Sequence, residues 1–339
     1  ITVGSPKQSF TVVFDTGSGN LIIPGDTCTD KACTDHRRFQ VNGSHSATVA
    51  SCTGGQIIPE DRVTITFGTG HLEGQCLQDE VCIGSACSRT NFLATTVETP
   101  SPWGSFYFDG VMGLSLPKMS QAEEYNILTL FDKQDTLKNP YFSIFLNDYG
   151  HEDEKSEVTF GSYKPELMAS DLFWVPVNDK VGYWEVTIDD IMLGDKRLGI
   201  CAGCRVAVDS GTSELAGPSH IIDQLGAAIN VNKDCSNKAS LPDLGFIVAG
   251  KVLRLTPQEY VEQSTKDCNG ALMSLDVAPP RGPLFVFGIP FLARYYTVYD
   301  FKEKRIGFAL AKHKGMPDGS VSLLEDAPPT VKRAEAPKK

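Results

Sequence analysis

TVVFDTGS, residues 11–18, and RVAVDSGT, residues 205–212, are one pattern written twice. In each, a β-branched run delivers an aspartate, then a small hydroxyl residue, a glycine and a second hydroxyl residue. Each copy is followed much later by an apolar-apolar-Gly triplet, Val111-Met112-Gly113 in the first half and Val286-Phe287-Gly288 in the second. An internal repeat of this kind predicts two similar lobes with one Asp loop apiece. A carboxylate leaving a buried strand is costly unless something hydrogen-bonds it. The residues after each Asp must therefore supply donors.

The repeat gives Asp15 a partner in Asp209, remote in the chain and equivalent by pseudo-two-fold symmetry. Two carboxyls brought together cannot both ionise cheaply, so one proton is shared and the pair titrates as a unit. Gly17 and Gly211 lack a Cβ and let the loop N–H approach the carboxylate. Ser18 and Thr212 offer hydroxyl donors to the outer oxygens, and Thr16 and Ser210 can bond across the lobe interface. Such a pair can hold a water, deprotonate it, and protonate a carbonyl or a leaving nitrogen.

The rest of the chain fits a mainly-β protein. Its 339 residues suffice for two lobes, and 41% of them are hydrophobic. Strand-like runs separated by turn residues dominate: QSFTVVF, DRVTITF, LFWVPV, YWEVTI, CRVAV, GFIVAGKVLRL, FVFGI, YYTVYDF and KRIGFAL. Helical periodicity is confined to about 121–136, 218–229 and 257–263, the second headed by Pro218 and Ser219. The net charge of −11 argues against nucleic acid as a partner. No apolar run is long enough to span a bilayer. The chain opens on ITVGSPKQSF, already strand-like, and is expected to be a fragment cut within or next to its first strand. From about residue 312 it becomes rich in Pro and charge, which predicts a disordered tail over 312–339.

Ten cysteines, several closely spaced, read as a disulfide framework and with it a secretory address. The sequon Asn42-Gly43-Ser44 agrees, with Asn42 as the glycosylation candidate. The run CAGC at 201–204 lacks the second pair or nearby histidine that a zinc site needs, so a structural disulfide is the better reading. No HExxH arrangement occurs, and the GTG at 68–70 lacks the Lys and helix of a phosphate loop. Neither a metal nor a cofactor is expected. Asp109, in FDGVMG, lies outside both Asp loops and reads as structural. The acidic run at 152–154 reads as a solvated loop, and His36 as surface or packing.

These residues together closely resemble the pepsin-like aspartic endopeptidases, the family of cathepsin D and the plasmepsins, over roughly residues 1–311. The blocks are FDTGSGNL at 14–21, CTDKAC at 28–33, ITFGTG at 65–70 and FDGVMGL at 108–114. The second half adds WVPV at 174–177, GYW at 182–184, VDSGTS at 208–213 and FGIPFLARYYTVYDF at 287–301. The resemblance implies a bilobal fold with an N-terminal lobe over 1–170, a C-terminal lobe over 171–311 and a cleft between them. Asp15 and Asp209 become the catalytic pair, supported by Thr16, Gly17, Ser18, Ser210, Gly211 and Thr212. Phe67, Gly68 and Thr69 become the tip of a flap over bound peptide, and Val13, Phe108 and Val111 an apolar pocket for the residue before the cut. Disulfides Cys28–Cys33 and Cys235–Cys268 match the family, and Cys201–Cys204 resembles one with a shorter loop. For Cys52, Cys76, Cys82 and Cys87 three pairings are open, with Cys52–Cys76 and Cys82–Cys87 favoured.

Two departures stand out. Phe67 occupies the place usually held by Tyr, and Ile22 a place often held by Trp. Both lose a polar group together, which predicts a flap held by apolar packing. The implied activity is hydrolysis between bulky apolar residues at acidic pH, by a monomer in an extracellular, vacuolar or lysosomal compartment. Its implied partners are polypeptide substrates, pepstatin-like inhibitors and its own propeptide. A catalytically inactive peptide- or protein-binding protein on the same fold is the alternative; such proteins commonly lose an Asp or adjacent Gly, and both are present here.

Overall fold

The computed structural model describes residues 1–67, 70–147, 153–265, 267–316 and 325–328. Both Asp strands sit in the same local sheet arrangement. Val12–Asp15 pairs in parallel with Gly110–Gly113, setting Asp15 opposite Gly113. Cys204–Val208 pairs in parallel with Phe285–Phe287, setting Val208 opposite Phe287. The strand leaving each Asp loop, Leu21–Pro24 or Leu215–Gly217, then returns antiparallel to the apolar-apolar-Gly strand. The sequence repeat is thus a structural one. A residue whose neighbours on both sides are apolar strands must end its own strand in a loop, which is where each Asp is delivered.

The fold is the bilobal, mainly-β fold expected. One nine-stranded sheet carries the first Asp loop and another the second. A five-stranded sheet joins them, in the order Glu157–Phe160, Tyr141–Phe145, Tyr295–Asp300, Arg305–Leu310, Phe173–Pro176. It draws strands from both sides of residue 170. Beneath the Asp loops its aromatic side chains form a common core. Phe142 stacks on Tyr299 at 4.6 Å, and Trp184 meets Tyr299 edge-on at 5.2 Å. The Trp184 indole N–H donates to Leu114 O at 2.8 Å, tying the second half to the first. Fully burying rings of this size contributes on the order of 1.5–3 kcal/mol each, so the floor of the cleft is rigid.

The structure also departs from the sequence reading. The two longest strands, Gly70–Ile83 and Ala86–Glu98, form one hairpin that the strand-like runs did not include. The periodic stretch at 121–136 yields a 3-10 turn, Glu123–Tyr125, and a helix over only Ile127–Lys133, capped by Asn126. At 257–263 one turn, Pro257–Tyr260, gives way to the strand Val261–Gln263. The helix Ser219–Ile229 matches its expected span, but Ser219 N and Oγ bond Asp276 rather than capping the helix locally. Within the segment read as a disordered tail, Glu325–Asp326 pairs with Lys251–Val252, and His313 bonds Glu154 at 2.6 Å. Glu154 is therefore not part of a solvated loop; Glu152 lies outside the described residues.

Sulfur pairs stand at bonding distance for Cys28–Cys33, Cys52–Cys76, Cys82–Cys87, Cys201–Cys204 and Cys235–Cys268. That is the favoured set of pairings. Among the described residues no cysteine is free, and no helix is long and apolar enough to cross a membrane.

Candidate active site

The two Asp loops meet at the lobe interface and are cross-tied through their second residues. Thr16 N donates to Ser210 Oγ at 3.1 Å, and Ser210 N donates to Thr16 Oγ1 at 3.0 Å. Each hydroxyl then donates onward to the strand of the other half, Thr16 Oγ1 to Val208 O at 2.8 Å and Ser210 Oγ to Phe14 O at 2.6 Å. Every donor in this square has an acceptor, and both hydroxyls need a short side chain at that position. The expected bonding across the interface is present, in a fully reciprocal form.

This clamp sets the carboxyls face to face. Gly17 N donates to Asp15 Oδ1 and Gly211 N to Asp209 Oδ1, both at 2.8 Å. A Cβ built on Gly17 falls 2.4 Å from Asp209 Oδ2, and one on Gly211 falls 2.3 Å from Asp15 Oδ1. The glycines are thus required less by their own aspartates than by the opposite ones. Each carboxyl occupies the space in front of the other loop's glycine.

The symmetry breaks at the fourth residue. Thr212 Oγ1 donates to Asp209 Oδ2 at 2.8 Å. Its counterpart, Ser18 Oγ, is buried and falls short of hydrogen-bond geometry with any partner, although it lies close enough to Asp15 to favour that carboxylate's charge. Asp15 itself is 4% exposed, whereas Asp209 is half-buried. Burial pushes the Asp15 carboxyl well above the usual carboxylate range, and the adjacent charge of Asp209 pushes it further; Ser18 and the Gly17 N–H oppose this. Asp15 is the member that keeps its proton.

Beside the first loop, Val13, Phe108 and Val111 share one apolar cluster with Ile22, Leu72 and Trp103. Val111 is buried and so backs this cluster, while Val13 and Phe108 are half-buried and reach its surface. Phe108 stacks on Phe106 at 4.6 Å, and Phe106 meets Trp103 edge-on. His36 positions this group, its ring nitrogens lying 2.8 Å from Ala32 O and 3.1 Å from Phe106 O. Ile22, in the place of the family's Trp, is fully buried in the same cluster. Gly68 and Thr69 lie outside the described residues, and Phe67 is described only as the end of the strand Arg62–Phe67, opposite Gly70.

Asp109 does not join the carboxyl pair. It accepts from Thr11 N and Oγ1 at 2.7 and 2.8 Å and from Arg37 N at 2.9 Å. Burial works against its charge, but these donors outweigh burial and hold its carboxyl below the ordinary range. Asn42 is exposed on the turn Val41–Gly43. A Glu80–Cys82–Cys87 cluster brings three metal-type ligand atoms together, but both of its sulfurs are paired in the Cys82–Cys87 disulfide.

Three features near the site escaped the sequence reading. Trp184 and Tyr183 were quoted only within a family block, yet Val208 N donates to Trp184 O at 3.0 Å, which places Tyr183 beside Asp209. Arg281 was not singled out, and Glu98 gives no signal because its burial depends on distant strands.

Residues 1–311 match the family model described as eukaryotic aspartyl protease. The chain is 33% identical to cathepsin E of Aquarana catesbeiana over 91% of its own length and 78% of that protein. It is 33% identical to pepsin A of Bos taurus, covering 91% of this chain and 82% of that one. With cathepsin E of Rattus norvegicus the identity is 32%, over 92% and 79%.

Proposed function

This chain belongs to the eukaryotic aspartyl protease family, and we propose that it is an active aspartic endopeptidase with Asp15 and Asp209 as its catalytic pair. The observation that carries the reading is the mutual seating of the two carboxyls, each lodged against the other loop's glycine above the Thr16–Ser210 clamp. Such preorganisation has no structural purpose that two ordinary strand-end turns would need.

In this reading Asp209, exposed enough to hold its charge, takes a proton from a water placed between the acids. The water oxygen attacks the peptide carbonyl carbon while Asp15 gives its proton to the carbonyl oxygen. Collapse of the tetrahedral adduct breaks the C–N bond. The proton held by Asp209 goes to the leaving nitrogen, and the proton on the adduct's oxygen returns to Asp15. No covalent intermediate or cofactor is called for. Activity falls as pH rises through the elevated Asp15 value, and falls again when acid neutralises Asp209, so the optimum is acidic.

The support for bulky apolar residues at the cut is the half-buried face made by Val13 and Phe108 over the cluster behind them. Flap residues Phe67, Gly68 and Thr69 would close on the substrate, with loop and flap N–H groups bonding an extended peptide. Five disulfides and the exposed Asn42 support a secretory, extracellular or acidic-vacuolar location. Pepstatin-like inhibitors and a propeptide are the expected ligands of the same cleft.

The test is incubation with a diverse peptide mixture from about pH 3 to about pH 7, with and without pepstatin, beside Asp15→Ala. Products are identified by mass spectrometry. Cleavage that peaks in acid and disappears in Asp15→Ala is the expected result. No cleavage at any pH by the folded, disulfide-bonded protein supports the inactive binding protein instead.

A further inference from the structure

The cleft side of the second lobe carries a cation that the hydrolytic mechanism leaves unused. Side chains alternate along Cys204–Val208, so Arg205, Ala207 and the following Asp209 share one face. Glu185 pairs with Ala207 and Thr187 with Arg205, which puts Tyr183, two residues before Glu185, opposite Asp209 on that face. Four strand residues separate Arg205 from Asp209, on the order of 13 Å. An extended peptide lying across the acids covers that distance with about four of its residues.

Arg205 does not present its charge here. Its Nε donates to Glu185 Oε1 at 2.9 Å and its Nη2 to Oε2 at 2.5 Å, a bidentate pair that neutralises it. The remaining donor, Nη1, reaches Pro280 O at 3.3 Å and pins the loop 276–283 against the strand. That loop is fixed at its other points too. Asp276 accepts from Ser219 N and Oγ, Gly282 N donates to Ala278 O at 2.9 Å, and Leu284 is buried. Arg281 is therefore held on a clamped loop, exposed, with no ion-pair partner among the described residues. The Tyr183 phenol lies within electrostatic reach of Arg281, Arg205, Asp209 and Asp15, which places the free guanidinium and the acids around one side chain.

We propose that Arg281 forms a cationic subsite at the rim of the cleft that selects substrates carrying an Asp or Glu side chain within about four residues of the scissile bond. The inference rests on the endopeptidase reading and names part of its substrate class. A chain of net charge −11 repels acidic peptides generally. An unpaired arginine on the rim reverses this locally, where low-dielectric walls focus its field.

A peptide panel with one common apolar cleavage core tests this, with Glu, Gln or Lys placed singly at each position flanking the cut. Near pH 5.5 the peptide Glu is ionised. Wild type should cut the Glu peptide roughly three- to tenfold better than its Gln counterpart, by kcat/KM, at one position, with Lys below Gln. Arg281→Gln should bring that ratio near one, and Arg281→Glu should invert it. A ratio near one at every position in wild type, or a Glu preference that survives Arg281→Glu, overturns the inference while proteolysis stands. Failure of the folded wild type to cut any peptide of the panel instead overturns the endopeptidase reading on which it rests.

Discussion

The two Asp loops are built from one pattern and held by one clamp, yet they present chemically different acids. Asp209 keeps a hydroxyl bond from Thr212 and is half-buried. Asp15 is almost fully covered, and Ser18 gives it no hydrogen bond of good geometry. Burial acting on one member and donors acting on the other separate their proton affinities. A symmetric frame can therefore assign an acid and a base without changing a single residue of the Asp-Ser/Thr-Gly triplets. The lesson is that symmetry fixes the position of the pair and its surroundings fix the roles.

The largest way to break this comparison is to fill either glycine. Gly17→Ala and Gly211→Ala each place a methyl within 2.4 Å of the opposite carboxyl. Both should lower kcat/KM by about a thousandfold, roughly 4 kcal/mol in the barrier. Steady-state assays of the two variants side by side check it. A loss in one alone would show that only one carboxyl is seated as described.

A second contrast lies between the buried glutamates of the two halves. Glu259 is pushed up by burial but pairs with Arg294 at 3.0 Å. Glu98 is 6% exposed and has Asp30, another acid, beside it. Burial pushes its carboxyl up to about 7, Thr95 opposing through a 2.8 Å hydrogen bond and Asp30 adding to the rise. Folded Glu98 thus holds a proton that the unfolded chain releases near the model value of 4.5. Stability from this group is complete below that value and is lost as pH rises to about 7 and above. Urea unfolding at about pH 5 and about pH 8 should show the wild type losing roughly 2–3 kcal/mol more than Glu98→Gln. Equal losses in both proteins would remove Glu98 as a cause.

The smallest expected effect sharpens the asymmetry at the fourth loop residue. Thr212→Val removes a 2.8 Å donor and should cost about tenfold in kcat, whereas Ser18→Ala should cost less than about threefold. Equal effects would mean that Ser18 bonds Asp15 during turnover.

Much of this was legible in the chain. The doubled TVVFDTGS/RVAVDSGT pattern carried the Asp pair, the clamp residues and the paired apolar-apolar-Gly strands, because each depends on local residue types that must recur wherever the same strand-loop geometry recurs. The hairpin Gly70–Glu98 was not legible. Residues such as Glu73, Gln75, Gln78 and Glu80 dilute its apolar alternation, and pairing with several other strands fixes it instead. The helix at 121–136 was overread because its periodicity spans a 3-10 turn that ends at Tyr125. Glu98 and Ser18 mark the same limit from another side, since burial and missed hydrogen bonds are set by residues far off in sequence.

The central claim is that the two loops act as one unit, and the direct test is a double-mutant comparison of kcat/KM. Asp15→Asn, Asp209→Asn and the double variant, all confirmed as folded by near-ultraviolet circular dichroism, are assayed on one peptide at the pH optimum of the wild type. The account predicts that each single change loses as much as both together, at least about a thousandfold, because removing either acid leaves the other without a proton-transfer partner. Substantial cleavage by either single variant, or losses that add in the double, would contradict it.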